Sequence, residues 1–433
     1  MDMLVKTAEK ILALARARGA DSVQCYVSES EKREFNVDGG SFSLMRTLFD
    51  RGVAVTVLKN NCKGSIHINR FDDSAISEAV SQCIASCESA LPDPAWQFAD
   101  GPVDESYVDG EPECDTDALF ERTRELMQDI SQRHPLILVE QMITEHDCER
   151  CVYMNSNGVT YRTVTGLYCF DLMYSAHRGE KSSSFYGSGL ILKSLDRPII
   201  ECALLERDLS DIEKQIDTEP LRGKFVGPVI LAPGVLQELV LSTAIGNFLS
   251  DISLIDGTSI WKDSLGSLVA DGTFSLSVTP RSEDMIVGQR YTGEGYPAED
   301  YEIIKNGRLV SFALSQYGAN KTGGKRAGTD STELTVAPGS PCLDEIIRGI
   351  ERGVLVMRFS GGSPSTGGDF SGVAKNSFLI ENGRIKCALS ETMISGCVAD
   401  MLKNIRAVSS DVLKDGSVSL PYIAFDGLTV SGK

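Results

Sequence analysis

The chain has 433 residues, 42% apolar and 24% charged, enough to bury two or three separate cores with ordinary globular usage. Its 61 acidic and 42 basic side chains leave a formal charge of -19, which repels phosphate backbones and acidic lipid head groups and argues against direct binding to nucleic acid or a membrane surface. Twelve cysteines are scattered along it without a secretion-type leader or a membrane-length apolar run, so reduced thiols and a cytoplasmic location are expected.

In chain order, Leu4, Ala8, Ile11, Leu12 and Ala15 share a helical spacing that predicts an amphipathic helix from Met1 to Arg18, closed by Gly19. Short strand-like runs follow, at Val23 to Ser28, Glu34 to Val37, Ser41 to Phe49, Val53 to Lys59 and Ser65 to Ile68. Asp38-Gly39-Gly40, Arg51-Gly52 and Lys63-Gly64 punctuate them, and the pattern reads as an antiparallel meander. Asp73 can cap a helix from Ser74 to Cys87 whose Ile76, Val80, Ile84 and Cys87 share a face. Leu91 to Pro112 then looks like a long irregular connection, and Asp115 to Gln132 a second helix. Leu136 to Ile143, Arg150 to Met154 and Val159 to Tyr174 read as strands, the last two joined by the turn Asn155-Ser156-Asn157-Gly158. The polar run Asp196 to Thr218 reads as mostly helical, and Glu219 to Gly223 as a boundary. Beyond it come an apolar strand, Val226 to Leu231, a buried helix, Val235 to Leu249, and a β-rich remainder with hairpin turns at Asn306-Gly307 and Asn382-Gly383. These two hairpins have nearly the same text, which type I′ turn chemistry explains as well as an internal repeat does.

The predicted organisation is α+β: an N-terminal α/β domain with an antiparallel meander (1–90), a linking region of helices and hairpin strands (91–222), and a mostly β C-terminal domain (223–433).

Motifs for self-contained chemistry are absent or incomplete. No Gly-x-Ser-x-Gly nucleophile elbow occurs, and Ala319 to Arg326 misses the first glycine and the final Ser or Thr of a phosphate loop. Cys148-x-x-Cys151 beside His146 uses zinc-ligand residue types, but a structural site needs a second pair, and on a continuous strand cysteines three apart face opposite ways. Cys83 and Cys87 fit helix core packing, and the paired glycines 361–362 and 367–368 fit tight turns.

Several fragments in fixed order carry a resemblance. They are Val229-Ile230-Leu231-Ala232-Pro233 and Ser264-Leu265-Gly266, then Tyr291-Thr292-Gly293-Glu294-Gly295. Thr366-Gly367-Gly368-Asp369-Phe370-Ser371 follows, with the Asn382-Gly383 hairpin and Ile394-Ser395-Gly396 after it. The sequence resembles the TldD/PmbA family (peptidase U62-like), once described as modulators of DNA gyrase and understood as a two-subunit protease. In the TldD-like branch, the helix after the Ala-Pro strand end carries His-Glu-x-x-x-His, and a cysteine near the C-terminus completes a zinc site. There zinc lowers the pKa of a bound water and the glutamate acts as general base.

Here that helix has no histidine; an ungapped count from Ala232-Pro233 puts Leu241 and Gly246 at the ligand positions, and Asp415 to Ser419 has no thiol. The resemblance therefore implies the PmbA/TldE-like branch: no metal and no catalytic residue in this subunit, with zinc in a TldD-like partner and an unfolded or extended peptide as substrate. Glu294 and Asp369 become candidates for lining an interface or peptide channel, with turn capping as the alternative. Trp261 is a candidate interface anchor, or a core residue. A homodimer is expected in isolation. Two other readings stay open: a peptidase with ligands gathered from His67, His146, His177 or Cys397, and a peptide-binding regulator without enzymatic activity.

Overall fold

The computed structural model describes residues 1–390 and 392–432. Eight strands form the first sheet: β1 (Ser22–Asp38), β2 (Ser41–Lys59), β3 (Cys62–Ile68), β4 (Val103–Gly110), β5 (Ile137–Asn155), β6 (Val159–Arg178), β7 (Lys181–Ser182) and β8 (Tyr186–Leu192). Their order is β3-β2-β1-β5-β6-β4, with β7 and β8 also on β6. Only β4 runs parallel to its neighbour, β6.

Side-chain alternation explains the sheet's two faces. Val23, Cys25 and Val27 point with Val53, Val55 and Val57 to one side, where helices α1 (Asp2–Ala17) and α2 (Asp73–Ser89) cover them. Farther along the same face, Phe35, Met142, Phe170 and Leu172 pack against α3 (Thr116–Arg133) and α4 (Leu205–Glu213). The other face carries no helix and is largely polar, with Ser28, Ser30, Lys32 and Glu34 of β1 beside Glu145, Asp147 and Glu149 of β5.

The strands are longer than the turn signals predict. Gly52 does not break β2; it pairs with Ser28 inside the ladder. A Cβ there would lie 3.3 Å from His67 Nε2 and 3.4 Å from the Ser28 hydroxyl, so this glycine supplies space between side chains and not a bend. The turn near Lys63-Gly64 lies earlier, at Asn60 and Asn61, both with positive φ. Asp72, not Asp73, caps α2 by accepting from the Ala75 amide at 3.1 Å. In the 196–218 run only Leu205–Glu213 is α-helical, after a short 3-10 turn at Ile199–Glu201; Pro198 and the left-handed Ala203 (φ 50°) separate the pieces. β4 falls in the expected irregular connection. Its exposed Asp-Glu-Ser text gives no apolar alternation, and backbone pairing to β6 makes it a strand.

The expected linking region is not a separate unit, because β5 pairs with β1 over fifteen residues and puts 22–192 in one sheet. The second sheet has twelve strands between 218 and 431, centred on Lys224–Leu231, which runs parallel to Arg352–Gly361 and antiparallel to Ser419–Ser431. Its main core includes Leu231, Leu241, Phe248, Phe274, Val356 and Phe425, wrapped around the 233–249 helix. Both Asn-Gly hairpins form, with Asn306 and Asn382 at positive φ. The architecture is the expected α+β arrangement, an antiparallel N-terminal sheet followed by a β-rich half. No helix among the described residues is long and apolar enough to cross a membrane.

Candidate functional site

The chain from Pro233 to Leu249 leaves the end of the Lys224–Leu231 strand as a helix with Pro at its first position. It then widens into π-helical turns over Leu236–Leu241 and Ala244–Leu249, in which the Ser242 amide donates to the Gln237 carbonyl five residues back. Such widening is rare and concentrates at functional sites. On an α-helix positions five apart diverge by roughly 140°, whereas i→i+5 turns swing them toward one face.

A cavity of about 320 Å³ opens against this helix, lined by Glu238, Ser242, Thr243 and Asn247 on one side and by Phe359 and the 361–364 loop on the other. Asn247 Nδ2 donates to the Ser365 carbonyl at 3.0 Å. Gly368, at φ 94°, sits where a Cβ would press on the Phe248 ring, so the loop can approach the helix only as glycine. Ser242 donates to the Glu238 carbonyl, and Thr243 Oγ1 donates to the Leu239 carbonyl at 2.6 Å. Just beyond, burial pushes the Arg358 guanidinium below its usual range, and the nearby Glu238 charge pulls the other way. Arg358 donates to Ser184 of the first half at 2.8 Å and lies 4.1 Å from the centre of the Phe185 ring.

Leu241 is buried in the core, and Gly246 is not on the cavity wall. The lining pair at five-residue spacing is Ser242 and Asn247. A zinc site draws three or four ligands from imidazole, thiolate and carboxylate, and this wall offers one carboxylate, Glu238, beside hydroxyls and an amide. These residues do not fit a zinc ion.

The remaining histidines are engaged separately. His146 Nε2 lies 2.7 Å from the Glu111 carbonyl and packs on Tyr168; His177 bonds Ser175 at 2.8 Å; His134 faces Glu213 at 3.3 Å; His67 is exposed on β3. Cys397 pairs in register with Asp369 on another sheet. Cys148 and Cys151 lie on the unbroken β5 and face opposite ways. Among the described residues, no three His, Cys, Asp or Glu side chains gather around one point.

Trp261 is 4% exposed, with its ring 4.8 Å from that of Phe248, and belongs to the core behind the cavity helix. Asp369 is exposed; its amide donates to Ser365 Oγ at 3.0 Å, so it closes the glycine turn at the cavity rim. Glu294 lies in the seam between the two halves. Its carbonyl accepts from the Ala99 amide at 2.8 Å, and burial, then the nearby Asp330 charge, raises its carboxyl above the usual range.

Sequence reasoning missed that seam. Tyr291 stacks on Tyr161 at 4.3 Å and lies 5.4 Å from Tyr153, and Tyr26 completes the cluster. Gln24 Nε2 donates to the Gly293 carbonyl at 3.1 Å. Gly295, at φ 87°, lies where a Cβ would collide with the Tyr153 hydroxyl. The supposed connection at 91–100 is a strap: Tyr317 donates to Asp93 at 2.9 Å, Lys321 pairs with Asp93 at 3.0 Å, and Trp96 stacks on Tyr317 at 3.9 Å. Its legible signal was Trp96, one of only two tryptophans, followed by Phe98 in the run Ala95-Trp96-Gln97-Phe98-Ala99.

Family models for PmbA/TldA metallopeptidase domains match residues 23–87 (domain 1) and 223–432 (C-terminal domain). The chain belongs to the PmbA/TldD family. It is 25% identical over 431 residues to a protein named metalloprotease PmbA homolog from Haemophilus influenzae, covering 95% of this chain and 90% of that one. It is 24% identical over 440 residues to metalloprotease PmbA from Escherichia coli O157:H7, covering 96% and 92%. The fold superposes on the crystal structure of TldE from Thermococcus kodakarensis with a TM-score of 0.84 at 19% identity, covering 98% of this chain and all of that one. Membership in this metallopeptidase family gives the chain a protease role at the family level.

Proposed function

We propose that this PmbA/TldD-family chain is a metal-free, TldE-like subunit that assembles with a zinc-bearing TldD-like metalloprotease and helps hold unfolded or extended peptides for cleavage there. The observation that carries the reading is the pair Ser242 and Asn247 on the cavity wall, at the five-residue spacing of His-Glu-x-x-x-His and on π-helical turns suited to that spacing. In this reading the helix stands where the family's metal helix would be, with a hydroxyl and an amide at Ser242 and Asn247 and Glu238 as the one carboxylate beside them. Zinc in the partner supplies the activated water; this chain contributes walls. An extended peptide is held by main-chain hydrogen bonds, which tolerate many sequences and admit only unfolded segments.

The test is co-purification from the native cell, with metal analysis of the complex and of each separated subunit. Zinc is expected with the partner alone, and peptide cleavage only when both subunits are present. Stoichiometric zinc in this chain by itself, with cleavage that a chelator abolishes, would refute the reading.

A further inference from the structure

A second cavity, of about 170 Å³, lies where the two halves of the chain meet. Tyr186 and Ser188 of β8 and Asp208 of α4 line it from the first half; Gln237, Asp415 and Tyr422 line it from the second. Its polar groups are acceptors short of donors. Asp208 is 9% exposed, and its carboxyl takes only the 3.4 Å bond from Ser188 to Oδ2, so Oδ1 has no partner among the described residues. The Tyr422 hydroxyl is buried and also without a partner. Asp415 holds the Ser417 and Val418 amides on Oδ1, at 2.8 and 3.0 Å, which leaves its Oδ2. Among the described residues no lysine or arginine lines the cavity. The neighbouring Arg207 pairs instead with Asp411 at 3.0 Å, and its guanidinium lies 5.4 Å from the centre of the Tyr422 ring. Burial first, and the Asp208 charge next, hold the Tyr186 and Tyr422 phenols above their usual range, so both rings stay neutral. A buried carboxyl in want of a cation, beside neutral aromatic rings, is an arrangement that recognises organic ammonium ions.

We propose that this cavity binds a small organic ammonium ion, whose N–H groups donate to Asp208 Oδ1 and to the Tyr422 hydroxyl oxygen and so bridge the two halves of the chain. Size narrows the class. Drug-sized ligands fill about 300–1,000 Å³, so this volume admits an amine of a few carbons and not a polypeptide segment. A hard metal ion fits less well, because calcium takes about 6–8 oxygen ligands and this wall sets two carboxyls among tyrosine rings. Without a bound cation, burial and then the Asp211 charge push the Asp208 carboxyl up to about 8, and it carries a proton at pH 7. The ammonium ion takes that proton's place: the cation enters, the carboxyl ionises, and one proton leaves to solvent. Binding therefore tightens about tenfold for each pH unit below pH 8. The other charged groups around Asp208 are Asp211 and Arg207 on α4 and Asp411 and Asp415 of the second half, and they set the field in which this exchange occurs. The site needs no metalloprotease partner and stands or fails independently of the division of labour proposed above.

The test is calorimetric titration of the full chain with propylammonium chloride, beside 1-propanol and potassium chloride, in the wild type and in Asp208→Asn and Tyr422→Phe. Propylammonium is expected to fill about one site per chain, about tenfold more tightly at pH 7 than at pH 6. Heats in two buffers of different ionisation enthalpy should show about one proton released per ion at pH 7. Asp208→Asn is expected to weaken binding at pH 8 about tenfold or more and to abolish the proton release. Tyr422→Phe removes a hydroxyl that bonds nothing in the fold, and should weaken binding about three- to tenfold. Circular dichroism will establish that each variant folds, and should Asp208→Asn fail to, Tyr422→Phe and the pH dependence still decide. No saturable heat, equal binding of 1-propanol, or binding indifferent to both substitutions would overturn the site. Potassium displacing propylammonium at equal concentration would overturn the ligand class, and an affinity that stays flat from pH 6 to pH 8 would overturn the exchange at Asp208.

Discussion

Asp208 offers the sharpest test of how the two halves are joined. It lies on α4 among Ser188, Tyr174, Tyr186 and Tyr422, 9% exposed, and accepts one long hydrogen bond from Ser188 Oγ at 3.4 Å. Burial, then the Asp211 charge, pushes its carboxyl up to about 8 from an ordinary 3.8, and the Ser188 bond and the Arg207 charge reverse only part of this. At pH 7 the unfolded carboxyl is ionised while the folded one keeps its proton. The unfolded state therefore binds fewer protons, and this group lowers stability progressively as pH rises from about 4 to about 8. Roughly three pKa units separate 3.8 from pH 7, so the cost there is about 4 kcal/mol. Asp208→Asn keeps the shape and removes the titration. The variant is expected to match the wild type near pH 4.5 and to exceed it increasingly up to pH 8, by as much as about 4 kcal/mol in urea unfolding. Stability curves for the two proteins that run parallel across this range would show that the carboxyl is ionised and solvated in the fold, and would sink the argument.

Three further outcomes are expected. Trp261→Ala empties a core site behind the cavity helix and should cost about 3–5 kcal/mol in chemical denaturation; a cost under about 1 kcal/mol would place the ring at a surface. Gly295→Ala meets both a positive φ and the Tyr153 hydroxyl, and should destabilise by about 1–3 kcal/mol and speed proteolytic nicking at the seam, which limited proteolysis will read. Ser242→His with Asn247→His should place two imidazoles on one wall near Glu238 and confer about one bound zinc per chain in metal analysis, against none for the wild type; no uptake would mean that positions five apart do not converge on this helix.

Turn chemistry and periodicity made several elements readable. Gly19 at φ 85° ends α1, and both Asn-Gly pairs turn hairpins, because these residues accept backbone conformations that others resist. The same vocabulary misled at Gly52, where the glycine makes room for His67 and Ser28 across strands, a need set by residues 15 and 24 positions away. The short strands expected at 136–143 and 150–154 are one strand, β5, whose middle puts Glu145, Asp147 and Glu149 on the helix-free face and buries His146 and Cys148 on the other. A strand whose buried positions are themselves polar, as at His146, gives no apolar alternation to distinguish it from a loop.

The candidate site shows the same division. The sequence by itself determined the family, through ordered glycine turns and the Ala-Pro strand end, and determined that the following helix has no imidazole. These depend on residue identity and order alone. Tertiary structure decided which side chains of that helix meet the cavity, Ser242 and Asn247 among them and neither Leu241 nor Gly246, because π-helical widening changes which positions share a face. It also turned Trp261 inward, set Glu294 in a seam of tyrosines contributed by residues far apart in the chain, and left one edge of β2 from Ser41 to Gly52 unpaired among the described residues. Burial and pairing are properties of what arrives from elsewhere in the chain, and local sequence does not encode the arrival.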